Sequence, residues 1–207
     1  PLIGFSAAPF TLASYMVEGG KSKDFTVTKL LMYEHPETWR LLMEKVATVL
    51  VDYLKMQVNA GAQVLQVFDS WIGCIGPKDY REFILPHTKK VMDGIGFLDV
   101  PTINFSTGTS AMLDLIAETG GDVMGFDWRI DLDEAWKIVG HDKPVQGNLD
   151  PSVLFAPIPV IRKRVIDILQ RANGKPGHIF NLGHGILQNT PVDHVKAVVD
   201  MVHEYTT

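Results

Sequence analysis

The sequence predicts an α/β fold with a parallel sheet, of the (β/α)8 barrel type. Three observations carry that expectation. Short apolar runs alternate strictly with helical patterns, which argues for parallel strands with helices outside. Polar groups cluster at the carboxyl end of nearly every run, as on the functional rim of a barrel. No G-x-G-x-x-G follows the first run and no P-loop lysine pattern occurs, so the usual signatures of an open nucleotide-binding sheet are missing.

The strands expected are 2–5, 63–68, 102–105, 122–126, 144–146 and 178–180. A helix over 9–18 follows the first, then a long one over 36–60. In the long helix Leu42, Val46, Val49, Tyr53 and Met56 recur at spacings of four and three, which predicts one buried stripe. Gly61 stands just past its end, where glycine commonly closes a helix. Later helices are announced by their starts. Asp131 with Glu134 resembles a capping box, Asp150-Pro151 sets proline at the first helical position, and Thr190-Pro191-Val192-Asp193 does both. Six βα units are counted, about six of the eight a closed barrel needs. The chain opens without Met on Pro1-Leu2-Ile3-Gly4-Phe5, already a core strand, and the missing units are expected before it. The expectation is a single domain over 1–207, the carboxy-terminal part of a longer barrel.

Composition narrows the function. With 207 residues, 46% of them hydrophobic, the chain can bury one sizeable core. A net charge of −5 argues against bulk nucleic-acid binding, which needs a basic surface. Cys74 is the only cysteine, so no intrachain disulfide exists and a reducing compartment, the cytoplasm, is the simpler reading. No apolar run approaches the length of a membrane span.

The strand ends carry Ser6, Asp69-Ser70-Trp71, Ser106-Thr107-Gly108, Asp127-Trp128-Arg129, Gly147-Asn148 and Asn181-Leu182-Gly183-His184-Gly185. The last is the most informative, because a histidine between two glycines has little side-chain cover. Schiff-base chemistry needs a lysine in the barrel mouth, and no strand end has one. Glycoside hydrolysis needs two carboxyls flanking one bond, and Asp69 and Asp127 are the only acids directly at strand ends, a weak case. A zinc-thiolate site needs several ligands at defined spacing, which one cysteine and seven scattered histidines do not supply.

Plain structural readings stand beside these. His184 is also readable as a solvated turn residue, Asp127 as a loop anchor and Ser70 as a turn hydroxyl. Tyr15, next to Met16 and Val17, reads as core packing. His35, His87, His141, His194 and His203 read as surface residues, Cys74 as a small apolar group, and Trp39 and Trp136 as helix-face packing.

The same stretches resemble the uroporphyrinogen decarboxylase family. The matching pieces are Gly4-Phe5-Ser6-Ala7-Ala8-Pro9-Phe10-Thr11-Leu12, Tyr15-Met16-Val17-Glu18-Gly19, Gln66-Val67-Phe68-Asp69-Ser70, Gly125-Phe126-Asp127-Trp128, Gln146-Gly147-Asn148-Leu149-Asp150-Pro151 and Asn181-Leu182-Gly183-His184-Gly185. They fall in the family's order and together are specific, although no single one is. The resemblance implies a distorted (β/α)8 barrel and removal of carbon dioxide from the four acetates of uroporphyrinogen III, giving coproporphyrinogen III for haem and chlorophyll synthesis. It implies no metal or organic cofactor, because a protonated pyrrole is itself the electron sink. It also implies a homodimer, a small-molecule substrate, and no nucleic-acid or membrane partner.

Carried over by position, the family's cleft tyrosine matches Tyr15, its serine Ser70 and its histidine His184. The implied roles are hydrogen bonding near a substrate carboxylate or neighbouring acid for Tyr15, and binding of propionate or acetate groups for Ser70 and His184. His184 is also implied in proton shuttling, imidazole having its ordinary pKa near neutrality. The family's pyrrole-binding aspartate and its carboxylate-holding arginines have no match, since they belong to the amino-terminal region. The chain by itself is therefore expected to be inactive and poorly stable, with two open sheet edges. Two alternatives remain. A cobalamin-dependent methyltransferase of the same superfamily would need a zinc-binding His-x-Cys pair and a late cysteine, where this chain has Asn104-Phe105-Ser106 and Leu182-Gly183-His184. The other is a non-catalytic fragment.

Overall fold

The structure, a computed structural model, describes residues 1–20 and 22–206. The chain groups into two compact units, Pro1–Val123 and Met124–Thr207.

In the first unit β1 (Ile3–Ala7), β2 (Val64–Asp69) and β3 (Thr102–Ser106) pair in parallel, in that order. Asp69 lies opposite Ser106, so the polar ends of β2 and β3 are level. Helices α1 (Pro9–Glu18), α2 (Thr26–Glu34) and α3 (Pro36–Asn59) join β1 to β2. Then α4 (Pro77–Phe83) and α5 (Leu85–Ile95) join β2 to β3, and α6 (Leu113–Glu118) follows. The core packs Val46, Leu50 and Leu54 of α3 with Leu65 and Val67 of β2 and Val91 and Ile95 of α5. Removing such side chains from water is what holds the unit together.

Several expectations are corrected. The buried face of α3 is Trp39, Met43, Val46, Ala47, Leu50 and Leu54. Of the expected stripe only Val46 is buried, Leu42 being half-buried, while Val49, Tyr53 and Met56 are exposed at 62%, 49% and 65%. Two apolar stripes run along this helix, and periodicity alone does not choose between them. Helix α2 was not expected, because its cap is remote in sequence. Glu18 accepts from both the N–H and the hydroxyl of Thr28, each at 2.9 Å. Despite desolvation, these hydrogen bonds hold the Glu18 carboxyl below its ordinary range. His87 is buried rather than superficial and lies 3.7 Å from Glu44; burial pushes its pKa down. As expected, β1 is an edge strand, but Phe5 on it is bonded to a side chain: its N–H donates to Gln57 Oε1 at 2.7 Å, and Gln57 Nε2 donates to Phe5 O at 2.9 Å.

In the second unit β4 (Val123–Gly125), which enters it at Met124, pairs in parallel with β5 (Val145–Leu149), and β5 with β6 (His178–Leu182). Helices α7 (Leu132–Val139), α8 (Ile158–Ala172) and α9 (Val192–Thr206) bury Trp136, Ile161, Val165 and Met201. The caps differ from expectation here too. Asp131 stands at the start of α7 but makes no capping bond; its carboxylate pairs with Arg171 at 3.0 Å. Asp150 does cap, accepting from Ser152 N–H at 2.8 Å, though the turn it opens is a short 3-10 helix, Pro151–Phe155. The Thr190 hydroxyl is buried without a hydrogen-bond partner and caps nothing. No helix among the described residues is long and apolar enough to cross a membrane.

The two stripes of α3 make a direct test. Leu54→Ala, at a fully buried position, is expected to cost about 2–5 kcal/mol. Val49→Ala, on the exposed stripe, is expected to change stability by less than about 0.5 kcal/mol. Urea midpoints of the two variants check this, and equal losses would return the buried face to the sequence-based stripe.

Candidate active site

Helix α1 begins at Ala8, which has no side chain to cap it. The first N–H groups of a helix need an acceptor, and here it comes from the end of β2. Thr11 Oγ1 donates to Asp69 Oδ1 at 2.6 Å, and the Thr11 N–H is directed at the same carboxyl. Thr11 Oγ1 in turn accepts from Trp71 N–H at 3.3 Å. Thr11 is fully buried and Asp69 is 5% exposed. Burial pushes the Asp69 carboxyl up to about 7, while the bonds from Thr11 pull it down.

Tyr15 sits one turn beyond Thr11. Its ring is 50% exposed, which overturns the core-packing reading. It meets Trp71 edge-on with centroids 6.1 Å apart, and Trp71 also faces Phe25 at 5.5 Å. Ser70, half-buried, directly precedes Trp71, so the structure brings Tyr15 and Ser70 to one corner of the first unit. Ser70 O accepts from Thr107 Oγ1 at 2.7 Å, and Thr107 N–H donates to Asp69 O at 3.2 Å. Gly73 lets the two strand-end loops touch: a Cβ there would lie 2.8 Å from Thr107 O.

The third expected residue, His184, belongs to the second unit, exposed on the loop after β6. The loop is held by Gly183, whose N–H donates to Leu149 O at 2.7 Å. A Cβ on Gly183 would lie 2.8 Å from Trp128 N and 3.1 Å from Asp127 C, so only glycine lets this loop lie on that backbone. Asp127 is 3% exposed. Its carboxylate pairs with the Arg129 side chain and accepts from Arg129 N–H at 3.1 Å. The Arg129 guanidinium lies 4.4 Å over the Trp128 ring. Asn148 Nδ2 donates to Asp127 O at 2.9 Å and Ile130 O at 2.7 Å, closing the same loop. This geometry supports the loop-anchor reading of Asp127.

Sequence reasoning gave no role to Thr11 or Arg171. Thr11 had one available signal, a helix start without its own cap downstream of which an acid closes a strand. Arg171 holds Asp133 at 2.8 Å, Asp131 at 3.0 Å and Asp167 at 3.1 Å, and nothing local announces it. Arg171, Asp131 and Asp167 line a cavity of about 260 Å³ with Trp128, Asn148 and Arg164, in which Arg171 is already matched by carboxylates. Among the described residues no group of three or more His, Cys, Asp or Glu could hold a metal ion.

Parallel strands whose carboxyl ends gather polar groups define an α/β protein of the (β/α)8 barrel type. Solved structures share this fold. A methyltransferase from Methanosarcina mazei superposes with a TM-score of 0.86 at 19% identity, over 100% of this chain and 59% of that one. A B12-independent methionine synthase from Shewanella gives 0.63 at 11%, over 99% and 63%. The model of the family Uroporphyrinogen decarboxylase (URO-D) matches residues 1–205. The uroporphyrinogen decarboxylase of Carboxydothermus hydrogenoformans is 55% identical over 207 residues, 100% of this chain and 59% of the relative. That of Sorangium cellulosum is 53% identical over 203 residues, 98% and 58%. The chain belongs to the uroporphyrinogen decarboxylase family, and it spans about 59% of the length of these relatives.

Two predictions come from this geometry. Gly183→Ala is expected to destabilise the protein by about 1–3 kcal/mol, because a backbone rather than a flexible side chain must move; its denaturant midpoint measures this, and no change would mean the loop relaxes freely. The second concerns pH. Folded Asp69 keeps its proton up to about 7, whereas an unfolded aspartate releases it near 3.8. Between those values the unfolded state binds fewer protons, so this group's contribution to stability falls as pH rises. Burial raises Cys74 and Tyr80, the other titrating groups near Asp69, from ordinary values of 9.0 and 10.0, so both stay neutral in this window. Asp69→Asn is expected to remove the decline. Its stability relative to wild type should rise between pH 4 and 7, by at most about 4 kcal/mol. A difference that stays flat with pH would show that Asp69 is ionised in the folded protein.

Proposed function

We propose that this chain forms part of a cofactor-independent uroporphyrinogen decarboxylase, which converts uroporphyrinogen III to coproporphyrinogen III by loss of four acetate carboxyls. The observation that carries the reading is the Tyr15 corner: an exposed phenol held against Trp71, beside Ser70, at the strand ends of a chain belonging to this family. Tyr15 and Ser70 hydrogen-bond substrate carboxylates, and His184 binds a carboxylate side chain and passes a proton. The reaction protonates a pyrrole carbon, lets the cationic ring accept the electrons of the breaking C–C bond as carbon dioxide leaves, protonates the resulting methylene carbon to give a methyl group, and then releases the proton from the ring carbon to restore the pyrrole. Neutral hydrogen-bond donors suit a substrate with many carboxylates, since each fixes one oxygen without leaving a buried charge unpaired.

The methyltransferase reading is less well supported. Asn104 donates to Thr119 Oγ1 and Gly120 O, each at 2.8 Å, and Ser106 pairs with Thr109 at 2.8 Å; both act as structural groups where zinc ligands would be needed. In the proposed enzyme the two units are parts of one barrel domain, and the protein works as a cytoplasmic homodimer. The test is anaerobic incubation with uroporphyrinogen III, counting the carboxyls lost by chromatography of the oxidised porphyrins. Products ending at coproporphyrin are expected of an enzyme completed to the length of its relatives. No loss from that protein would overturn the reading. In it, Tyr15→Phe and His184→Asn are each expected to lower kcat/KM about 10- to 100-fold, the equivalent of one lost charge-assisted hydrogen bond. Unchanged turnover and affinity in either variant would remove that residue from the site.

A further inference from the structure

We propose that Thr11 and Asp69 are positioning residues, whose contact couples the helix carrying Tyr15 to the strand end carrying Ser70. This deepens the functional reading above and rests on it. The contacts form a closed circuit. Asp69 ends β2 and accepts from Thr11 in the first turn of α1 at 2.6 Å. Four residues on, the same helix presents Tyr15, on the same face as Thr11 by helical spacing. Tyr15 packs on Trp71, and Trp71 N–H returns to Thr11 Oγ1 at 3.3 Å. Ser70 lies inside this circuit, between Asp69 and Trp71, and Thr107, just past the end of β3, fastens it through Ser70 O at 2.7 Å.

Neither Thr11, at 0% exposure, nor Asp69, at 5%, is open enough to bind a large substrate. Their effect on it must pass through Tyr15 and Ser70. A buried carboxyl whose partner is a neutral hydroxyl is an expensive way to hold a fold, since an apolar pair of the same shape avoids the desolvation. Threonine at position 11 does what an apolar residue cannot: its single oxygen donates to Asp69 and accepts from Trp71 at once.

The test compares Thr11→Val, which keeps the shape and the N–H but loses the hydroxyl, with Thr11→Ser, which restores it, in the complete enzyme. Two readouts are taken: hydrogen exchange at the Trp71 amide, and kcat and KM for uroporphyrinogen III. Thr11→Val is expected to speed exchange at Trp71 about tenfold and to lower kcat/KM by a similar factor, chiefly through KM, with Thr11→Ser returning both to near wild type. Unchanged exchange would overturn the coupling. Faster exchange with unchanged kcat and KM would reduce the contact to a purely structural one and overturn the positioning role. Should Thr11→Val not fold, Thr11→Ala reads the same two signals. A wild-type enzyme without turnover would overturn the functional reading and the positioning role with it, while the exchange result would still judge the contact itself.

Discussion

The corner of the first unit depends on a buried hydrogen bond that joins a helix start to a strand end. Helix α1 leaves β1 through Ala8-Pro9, and neither side chain offers an acceptor to its first turn. Asp69 supplies one from 58 positions further along the chain. A negative or hydrogen-bonding group at a helix N-terminus also meets the positive end of the helix dipole. Glu18, on the last turn of α1, does the same for α2 through Thr28. The end of β2 thus fixes α1, and the end of α1 fixes α2. Tyr15 inherits its direction from that sequence of caps, and Phe25, set down between the two helices, becomes the second ring against Trp71.

The second unit reaches a comparable precision by another route. Its contacts at the strand ends are between backbones, with Gly183 laid on Trp128 and Gly147 so close to Phe126 that a Cβ would stand 2.8 Å from its carbonyl oxygen. Asn148 then fastens two carbonyls of the loop after β4 with one amide group. Asp69 and Asp127 occupy similar strand-end positions and are both buried, yet Asp127 faces a guanidinium and Asp69 a hydroxyl. A carboxyl with a cationic partner is held by charge attraction; one with a neutral partner bears its desolvation largely alone.

Much of the fold was legible because burial leaves apolar runs. All six strands begin within one residue of their expected starts, and α1 has its expected bounds. The strand ends were set too early in most cases, since β1, β2, β3, β5 and β6 continue into Ala7, Asp69, Ser106, Leu149 and Leu182. Polar residues such as Ser6, Asp69 and Asn148 look like loop in a hydrophobicity pattern, but a parallel ladder bonds backbone whatever the side chain. Helix α2 and the true face of α3 were not legible. One is capped from ten residues away, and the other depends on which of two apolar stripes meets α5. At the candidate site, Ser70 and His184 stood out by position. Tyr15 did so only through family resemblance, because the ring it meets, Trp71, lies far along the chain. Nothing local pairs Thr11 with Asp69.

Charge draws the last distinction. Arg129, at the end of β4, is matched by Asp127 and stacked on Trp128, and Arg171 is matched by three aspartates. Guanidiniums already paired in this way brace loops; drawing Arg129 to a substrate carboxylate would strand the buried Asp127, which costs several kcal/mol, whereas the aspartates around Arg171 are about half exposed. The residues proposed here to meet substrate are a phenol, a hydroxyl and an imidazole. Such groups act over one hydrogen-bond length and sense direction sharply, whereas long-range attraction of a polyanion comes from net positive charge. In that proposal the task of these strand ends is orientation: the corner around Trp71 matters more than local charge, because a hydrogen-bond donor displaced by an ångström makes no bond at all.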